Sequence, residues 1–469
     1  MKGPVRPSLA TVLAAAVLAS AIALAGSAAA DETEPEITSW MLPPSTRPVW
    51  GLLDVDRVRG SGPPLETADS LTGNWRGYRD RLSNEFGLSL VGNYTSECAG
   101  NPVGGQRQGV TYTHNIGLAL FADLEKLLSR SLPALWEPLL HDTAFLVSAS
   151  NRAGRSLSAK YIGNVYAVQQ IYGGETTRLV HLAAAKAFFR RKLRIAAGRI
   201  NALDDFIASP LYCNAQNLAF CGNPLSIPSD VNISSYPNTM WGTRVRWEPS
   251  PLWYAMGGVY NAVEGFRANK FHGVDFSIRH NSGVIGIGEV GVHPEHIGPS
   301  GLFTSLEGNY KLGGYWDTEP LTNFQTGRRE RGTGGFYVAG DQMLWQQPHA
   351  RSGQGLYLWT AFHWAPSDMN PQDRFVNCGL VYPGLVPGRD ADIAGLYGAY
   401  GHFSADQRAA QRRAGQPGQV YEGVLELNYR IALVPWFYVQ PDIQGIINPG
   451  AAHQFSNALV LAVQFGVPF

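Results

Sequence analysis

The sequence lacks any long apolar run beyond its first residues. After Leu9–Leu24 no stretch approaches the ~18 uninterrupted apolar residues that a membrane-crossing helix requires, which excludes a helical multi-span protein. It also lacks an excess of charge, with 37 Lys and Arg against 37 Asp and Glu. That balance argues against a nucleic-acid partner and against a charged disordered tail. Cysteine is scarce, at 4 residues, and no C-x-x-C or clustered His accompanies it, so a zinc site is not expected. Neither G-x-S-x-G nor H-E-x-x-H occurs. Gly286-Ile-Gly-Glu-Val-Gly matches G-x-G-x-x-G, but no helix-forming run follows it and His293-Pro294 interrupts the segment, so it reads as a glycine-rich strand. His293 and His296 lack a third convergent ligand. No enzyme activity, cofactor or metal is expected.

What is present points to export and to strands. Lys2 and Arg6 precede the apolar run Leu9–Leu24, and Ala28-Ala29-Ala30 offers a small-residue cleavage site before Asp31. Residues 1–30 therefore read as a cleaved signal peptide. An exported chain meets an oxidising compartment, and Cys213 and Cys221, close together in a polar, Pro-rich region, are expected to form a loop disulfide. Whether Cys98 and Cys378 pair cannot be read from their positions.

The chain ends on Ala458–Phe469. Leu459, Leu461, Val463, Phe465, Val467 and Phe469 fall on one face of a strand, while Ala458, Ala462, Gln464 and Gly466 fall on the other. An apolar face, an aromatic last residue and an export signal together are the usual ending of a bacterial outer-membrane barrel, in which the final strand closes the sheet. Phe469 is accordingly the expected assembly signal, with the barrel assembly machinery as its partner.

Residues 31–70 are Pro-rich and read as an irregular periplasmic lead-in. Residues 71–86 read as a short periplasmic helix whose face carries Trp75, Tyr78 and Leu82, capped by Thr72 or Asn74, with its arginines exposed. From residue 87 to 469 the period becomes 2 and about eighteen segments of strand-like alternation follow, among them Val165–Gly173, Gly273–Arg279 and Leu302–Gly313. Bacterial single-chain barrels close on an even number, so sixteen or eighteen strands are expected in an all-β, antiparallel transmembrane barrel. In Thr239–Glu248, Trp241, Val245 and Trp247 oppose Arg244, Arg246 and Glu248; in Tyr421–Leu433, Leu425, Leu427, Tyr429 and Ile431 oppose Glu422, Glu426, Asn428 and Arg430. A charge on the lipid face costs several kcal/mol at mid-bilayer, so the charged faces are assigned to the lumen. Ala202–Asn238 breaks the rhythm and suits a loop folding into or over the mouth; residues 404–419 suit another exposed loop.

Particular stretches resemble the carbohydrate-selective porins of the OprB type. They are Leu71-Thr-Gly-Asn-Trp-Arg-Gly-Tyr-Arg-Asp-Arg-Leu, the strand Ala197-Gly-Arg-Ile, Phe220-Cys-Gly-Asn-Pro with Trp241-Gly, Gly379-Leu-Val-Tyr-Pro-Gly-Leu-Val-Pro-Gly-Arg-Asp-Ala-Asp, and Tyr438-Val-Gln-Pro-Asp-Ile-Gln-Gly-Ile-Ile-Asn-Pro-Gly. The likeness runs over residues 70–469. It departs at Arg76-Gly77, where the family carries Gly-Gly after the Trp, in the longer lead-in and in two additional cysteines. The resemblance implies a sixteen-stranded barrel, passive uptake of sugars into the periplasm, contact with outer-membrane lipid and lipopolysaccharide, and it allows a homotrimer. A sugar channel needs many weak hydrogen-bonding and ring-stacking contacts. The residues expected to line it are Arg194, Arg199, Arg244, Arg246, Glu248, Glu307, Asn309, Tyr357, Trp359, Glu422, Glu426, Arg430, Gln440, Asp442 and Gln444, with the face changing near Gly198. The plainer expectation is that these charges pair across neighbouring strands. A barrel enzyme and a secreted all-β glycan-binding protein are the rival classes.

Overall fold

The computed structural model describes residues 70–469 apart from 129–132, 210, 222–223, 263–268, 278–282, 294–305, 307 and 348–353. The signal peptide and the lead-in up to residue 69 lie outside the described residues. Sixteen strands form one closed antiparallel barrel, each paired with its sequence neighbours and the first with the last. They are β1 Leu88–Gly105, β2 Val110–Asp123, β3 Thr143–Gly154, β4 Thr176–Phe188, β5 Leu193–Ile200, β6 Met240–Ser250, β7 Trp253–Ala262 and β8 Gly283–Val292. The second half comprises β9 Gly308–Thr322, β10 Arg329–Gln346, β11 Gly355–Trp364, β12 Gln372–Pro383, β13 Ile393–Phe403, β14 Tyr421–Val434, β15 Phe437–Ile447 and β16 Ser456–Pro468. Among the described residues no helix is long and apolar enough to cross a membrane.

The two surplus segments of the sequence pattern explain the difference between eighteen and sixteen. Val165–Gly173 is not a strand but part of the connection between β3 and β4, and the described residues of Gly273–Arg279 are irregular. Both alternate apolar and polar residues, yet neither finds a neighbouring strand, and strand structure requires that partner. In Leu302–Gly313, β9 begins only at Gly308.

The closure itself is specific. Cys98 and Glu97 of β1 pair with Val463 and Gln464 of β16. The terminal residue continues the ladder: the Phe469 amide donates to the Gly92 carbonyl at 2.9 Å and the Gly92 amide donates back at 2.8 Å. A Cβ on Gly92 would stand 2.4 Å from the Phe469 ring, so only glycine leaves room for that ring against β1. The alternation along β14 is as expected, with Leu425 and Leu427 both 55 % exposed and Glu422 and Glu426 buried.

The amino-terminal helix begins later than expected. A short 3-10 turn occupies Trp75–Gly77, and helix α1 spans Tyr78–Phe86 with left-handed Gly77 at its start. Asn74 stands at the N-cap of the 3-10 turn, but its side chain accepts instead from the Asp80 amide of α1 at 3.1 Å. Arg79 is drawn in, bonding Ser70 Oγ at 2.7 Å and the Leu90 carbonyl at 2.9 Å. A second helix, α2 at Ala405–Arg413, is capped by Ser404 and sits in the connection read from sequence as an exposed loop.

Candidate functional site

Two connections enter the barrel with their described residues: one between β3 and β4, over 155–175, and one between β5 and β6, within 201–239. Their apolar side chains force this. Leu157, Ile162, Tyr166, Val168, Leu211, Tyr212 and Phe220 are buried, and the only apolar surface available to them is the inner wall. That wall offers Met343, Tyr357, Trp359, Phe375, Tyr397, Ile446 and Val460 in the same cluster. Leu203, Phe206, Ile207 and Ile227 likewise pack on Met256, Tyr260, Ile287, Tyr315 and Tyr337. Burying each such side chain contributes about 1.5–3 kcal/mol. One close approach fixes the first segment: a Cβ on Gly401 would lie 1.5 Å from the Tyr166 hydroxyl oxygen, which itself donates to Gln372 Oε1 at 2.6 Å.

Loop backbone buried in this way must find hydrogen-bond partners. Carboxylates on the wall of β13–β15 and its neighbours supply them. Glu422 accepts from the Val165 amide at 2.8 Å, the Tyr166 amide at 2.8 Å and the Gly450 amide at 2.8 Å. Glu426 accepts from the Gln216 amide at 2.6 Å and the Asn217 amide at 2.8 Å. Asn428 and Gln440 both donate to the Asn214 carbonyl at 3.0 Å. Gln444 donates to the Val168 carbonyl at 3.0 Å and accepts from Asn217 at 2.9 Å. Arg430 donates to Gln440 Oε1 at 2.6 Å and to the Cys213 carbonyl at 3.4 Å. On β8, Glu289 accepts from the Ile207 amide at 2.7 Å and from the Tyr254 and Tyr337 hydroxyls at 2.7 and 3.0 Å.

The wall of β5–β7 is different. Arg246 lies 3.2 Å from Glu248, and Arg194 lies 3.9 Å from the same carboxylate, with side-chain exposures of 19 %, 18 % and 26 % for Arg246, Arg194 and Glu248. The Arg246 guanidinium also rests over the Tyr254 ring, 3.8 Å from its centroid. Deeper in, Arg244 is paired with loop residue Asp205. Burial holds the Asp205 carboxyl up at about 6, against the pull of Arg244; Asp204 is raised by burial as well. Ser148 Oγ stands 2.8 Å from His181 Nδ1, and His181 Nε2 is 3.5 Å from Asp204. This Ser, His and Asp set lies buried beneath the loop and ties Asp204 to β3 and β4.

The expected lining residues thus divide. Arg194, Arg246 and Glu248 come together as a row that is mostly buried but keeps part of each side chain open. Glu422, Glu426, Arg430, Gln440 and Gln444 face inward but are occupied by the loops, and Asp442 is buried beside them, accepting from Gln444 at 2.8 Å. Asn309 is buried too, donating to Asp341 at 2.6 Å. Tyr357 and Trp359 offer no open ring face: Trp359 is 0 % exposed, with the Tyr212 ring edge-on at 4.8 Å. Arg199 falls on the other face. It is registered with Leu182 and Trp241, whose side the sequence assigns to lipid, and donates to the Asp275 and Thr239 carbonyls at 2.6 and 3.1 Å. Arg194 and Arg199 are five residues apart in a register without any shift, so simple alternation puts them on opposite faces and the expected change of face near Gly198 does not occur. Glu307 lies outside the described residues. Cys213 and Cys221 are bonded, S–S 2.00 Å, whereas Cys98 and Cys378 are free on β1 and β12. Sequence reading missed Tyr166, Tyr212, Asp205, Gln216 and Asn217. Their signal was the apolar content of the two long connections, which a solvated loop does not need.

Against known proteins, residues 107–469 match the family described as carbohydrate-selective porin, OprB family. The chain is 28 % identical to Porin B of Pseudomonas aeruginosa, covering 85 % of this chain and 91 % of that protein. It is 27 % identical to a putative porin, QuiX, of Acinetobacter baylyi, covering 85 % of this chain and 93 % of that one. A structure of Pseudomonas putida OprB at high pH superposes with a TM-score of 0.76 at 25 % identity, over 86 % of this chain and 98 % of that one.

Proposed function

We propose, from the premise that this chain belongs to the carbohydrate-selective porin, OprB family, that it carries monosaccharides or short oligosaccharides across the outer membrane by passive diffusion. The observation that carries the finer reading is the row of Arg194, Arg246 and Glu248, polar, inward and partly exposed on the stretch of β5 and β6 beyond the loop contact of Arg244 with Asp205. Such groups replace water around sugar hydroxyls one or two at a time, and weak, replaceable contacts let a permeant leave as readily as it enters. Mixed signs in the row fit a neutral polyol better than an ion. The inward segments supply the narrowing, because their packing and amide bonds hold them against the inner wall, at β13–β15 and at β6–β10, rather than across the mouth. Residues 1–30 act as the export signal, and the end carrying both the amino-terminal helix and Phe469 faces the periplasm.

Single-channel conductance of the detergent-purified protein in planar bilayers tests this. Stable channels whose current is reduced by a subset of sugars are expected. Channels indifferent to every mono- and oligosaccharide tried sink the sugar reading while leaving the barrel; no conductance from a folded, heat-modifiable preparation sinks transport altogether.

A further inference from the structure

The two ends of the barrel differ in surface charge. Among the described residues, nine basic residues are exposed at the end carrying the long connections, where Glu175 is the one exposed acid, whereas at the end carrying α1 and Phe469 the exposed charges are four of each sign. Eight of the nine are arginines. They concentrate on one sector. Arg328, Arg329 and Arg331 lie on and beside the β9–β10 turn, while Arg412 and Arg413 end helix α2. Arg413 reaches the Phe324 carbonyl of that same turn, so the two groups of arginines form one patch. The acids nearby are drawn inward: Glu330 accepts from Asn323 and Thr326, Asp406 accepts from Ser367, and Asp373 is paired with His402.

The patch has a defined height on the outer wall. Arg329 and Arg331 are registered with Thr322 and Pro320 of β9, the face that carries exposed Trp316 below them. Pro320 is four residues above Trp316, about 13 Å along the strand and less in height because barrel strands tilt. Exposed Phe336 and Trp364 continue that aromatic level onto β10 and β11. Aromatic rings mark the boundary of the hydrocarbon, so the arginines stand where lipid phosphates lie.

We propose that this patch of β9–β10 and α2 binds the phosphate groups of a phosphorylated glycolipid in the surrounding outer leaflet. The choice of arginine over lysine supports it, since a planar guanidinium grips two phosphate oxygens at once whereas an ammonium offers a point charge. The lipid, rather than a soluble anion, is the occupant because the patch faces outward directly above the apolar wall, where acyl chains are already in contact. The inference rests on the membrane-spanning reading, and conductance separates the two.

The experiment is binding of diphosphorylated lipid A to the full-length protein in detergent, read by native mass spectrometry. The variant combines Arg328→Gln, Arg329→Gln, Arg331→Gln, Arg412→Gln and Arg413→Gln. Bilayer conductance of the same sample, expected to be unchanged, shows that the barrel is intact. Binding is expected to fall at least about tenfold in the variant, since each surface charge attracts anionic lipid independently, and dephosphorylated lipid A is expected to bind both proteins equally weakly. Wild-type binding by the variant, or equal binding of the dephosphorylated lipid to wild type, overturns the proposal. Displacement of lipid A by millimolar inorganic phosphate also overturns it, in favour of a soluble-anion site. Loss of conductance in the wild type itself indicts the channel reading and leaves the lipid measurement to stand separately.

Discussion

The walls of β13–β15 and β5–β7 lie on opposite sides of the ring and carry the same kinds of residue, yet use them differently. On β14 and β15 the inward Glu, Asn, Arg and Gln side chains hold buried loop amides and carbonyls. On β5 and β6 the inward Arg194, Arg246 and Glu248 hold one another and keep part of their surface open, while Arg244 on the same strand as Arg246 is taken by loop residue Asp205. A polar inward face is therefore not one functional class: where a loop docks, polarity is structural, and where none docks, it is available to a permeant.

The largest break in that contrast is expected from Glu426→Ala. It strips two loop amides, those of Gln216 and Asn217, of a charged acceptor inside the barrel. Hydrogen bonds to a charged group contribute about 1.5–3 kcal/mol each, so docking of the second segment should weaken by roughly 3–6 kcal/mol. Conductance should rise and become noisier, and protease should nick the chain near residues 211–221. A variant with unchanged current and protease resistance shows that the apolar contacts alone hold the loop.

A smaller effect is expected from pH at Asp205. The folded loop retains a proton up to about pH 6, against an ordinary carboxyl value of 3.8. Its contribution to docking is therefore fullest below about pH 4 and is lost as pH rises through 6, on the order of 3 kcal/mol. Asp204, His181, Arg244 and Arg246 face this carboxyl and act on the same titration. Hydrogen exchange of residues 202–206, corrected for intrinsic rates, should quicken between pH 4 and 7, and Asp205→Asn should flatten that slope. An equal slope in the variant assigns the dependence to another group.

The smallest effect is expected where the wall is open. Arg246→Gln removes one charge that keeps part of its surface open, and the new amide can still donate to Glu248, so the net loss is about 1 kcal/mol. Sugar block should shift by two- to fivefold at most, while protease resistance stays as in the wild type. A collapse in resistance instead would place Arg246 with the structural residues of the other wall and erase the distinction.

Much of the fold was legible because lipid imposes a uniform demand. Positions in contact with the hydrocarbon favour apolar side chains strongly, so Leu425, Leu427, Leu459 and Leu461 announce the outer face one residue at a time. The inner face obeys no such rule. Ile446 and Val460 are apolar yet point inward, and Arg199 is charged yet does not, because the first two pack against a loop and the guanidinium is taken up by the Asp275 and Thr239 carbonyls rather than by solvent. Val165–Gly173 imitated a strand for the same reason: its alternation serves packing in the lumen.

By itself the sequence determined the antiparallel barrel, its outward face, its closure by the last strand and the bond between Cys213 and Cys221, since each follows from neighbours or from period-2 alternation. The tertiary structure decided which inward groups remain open. That choice turns on contacts such as Glu422 with Tyr166, 256 residues apart in sequence, and local periodicity carries no information about a partner that arrives from so far along the chain.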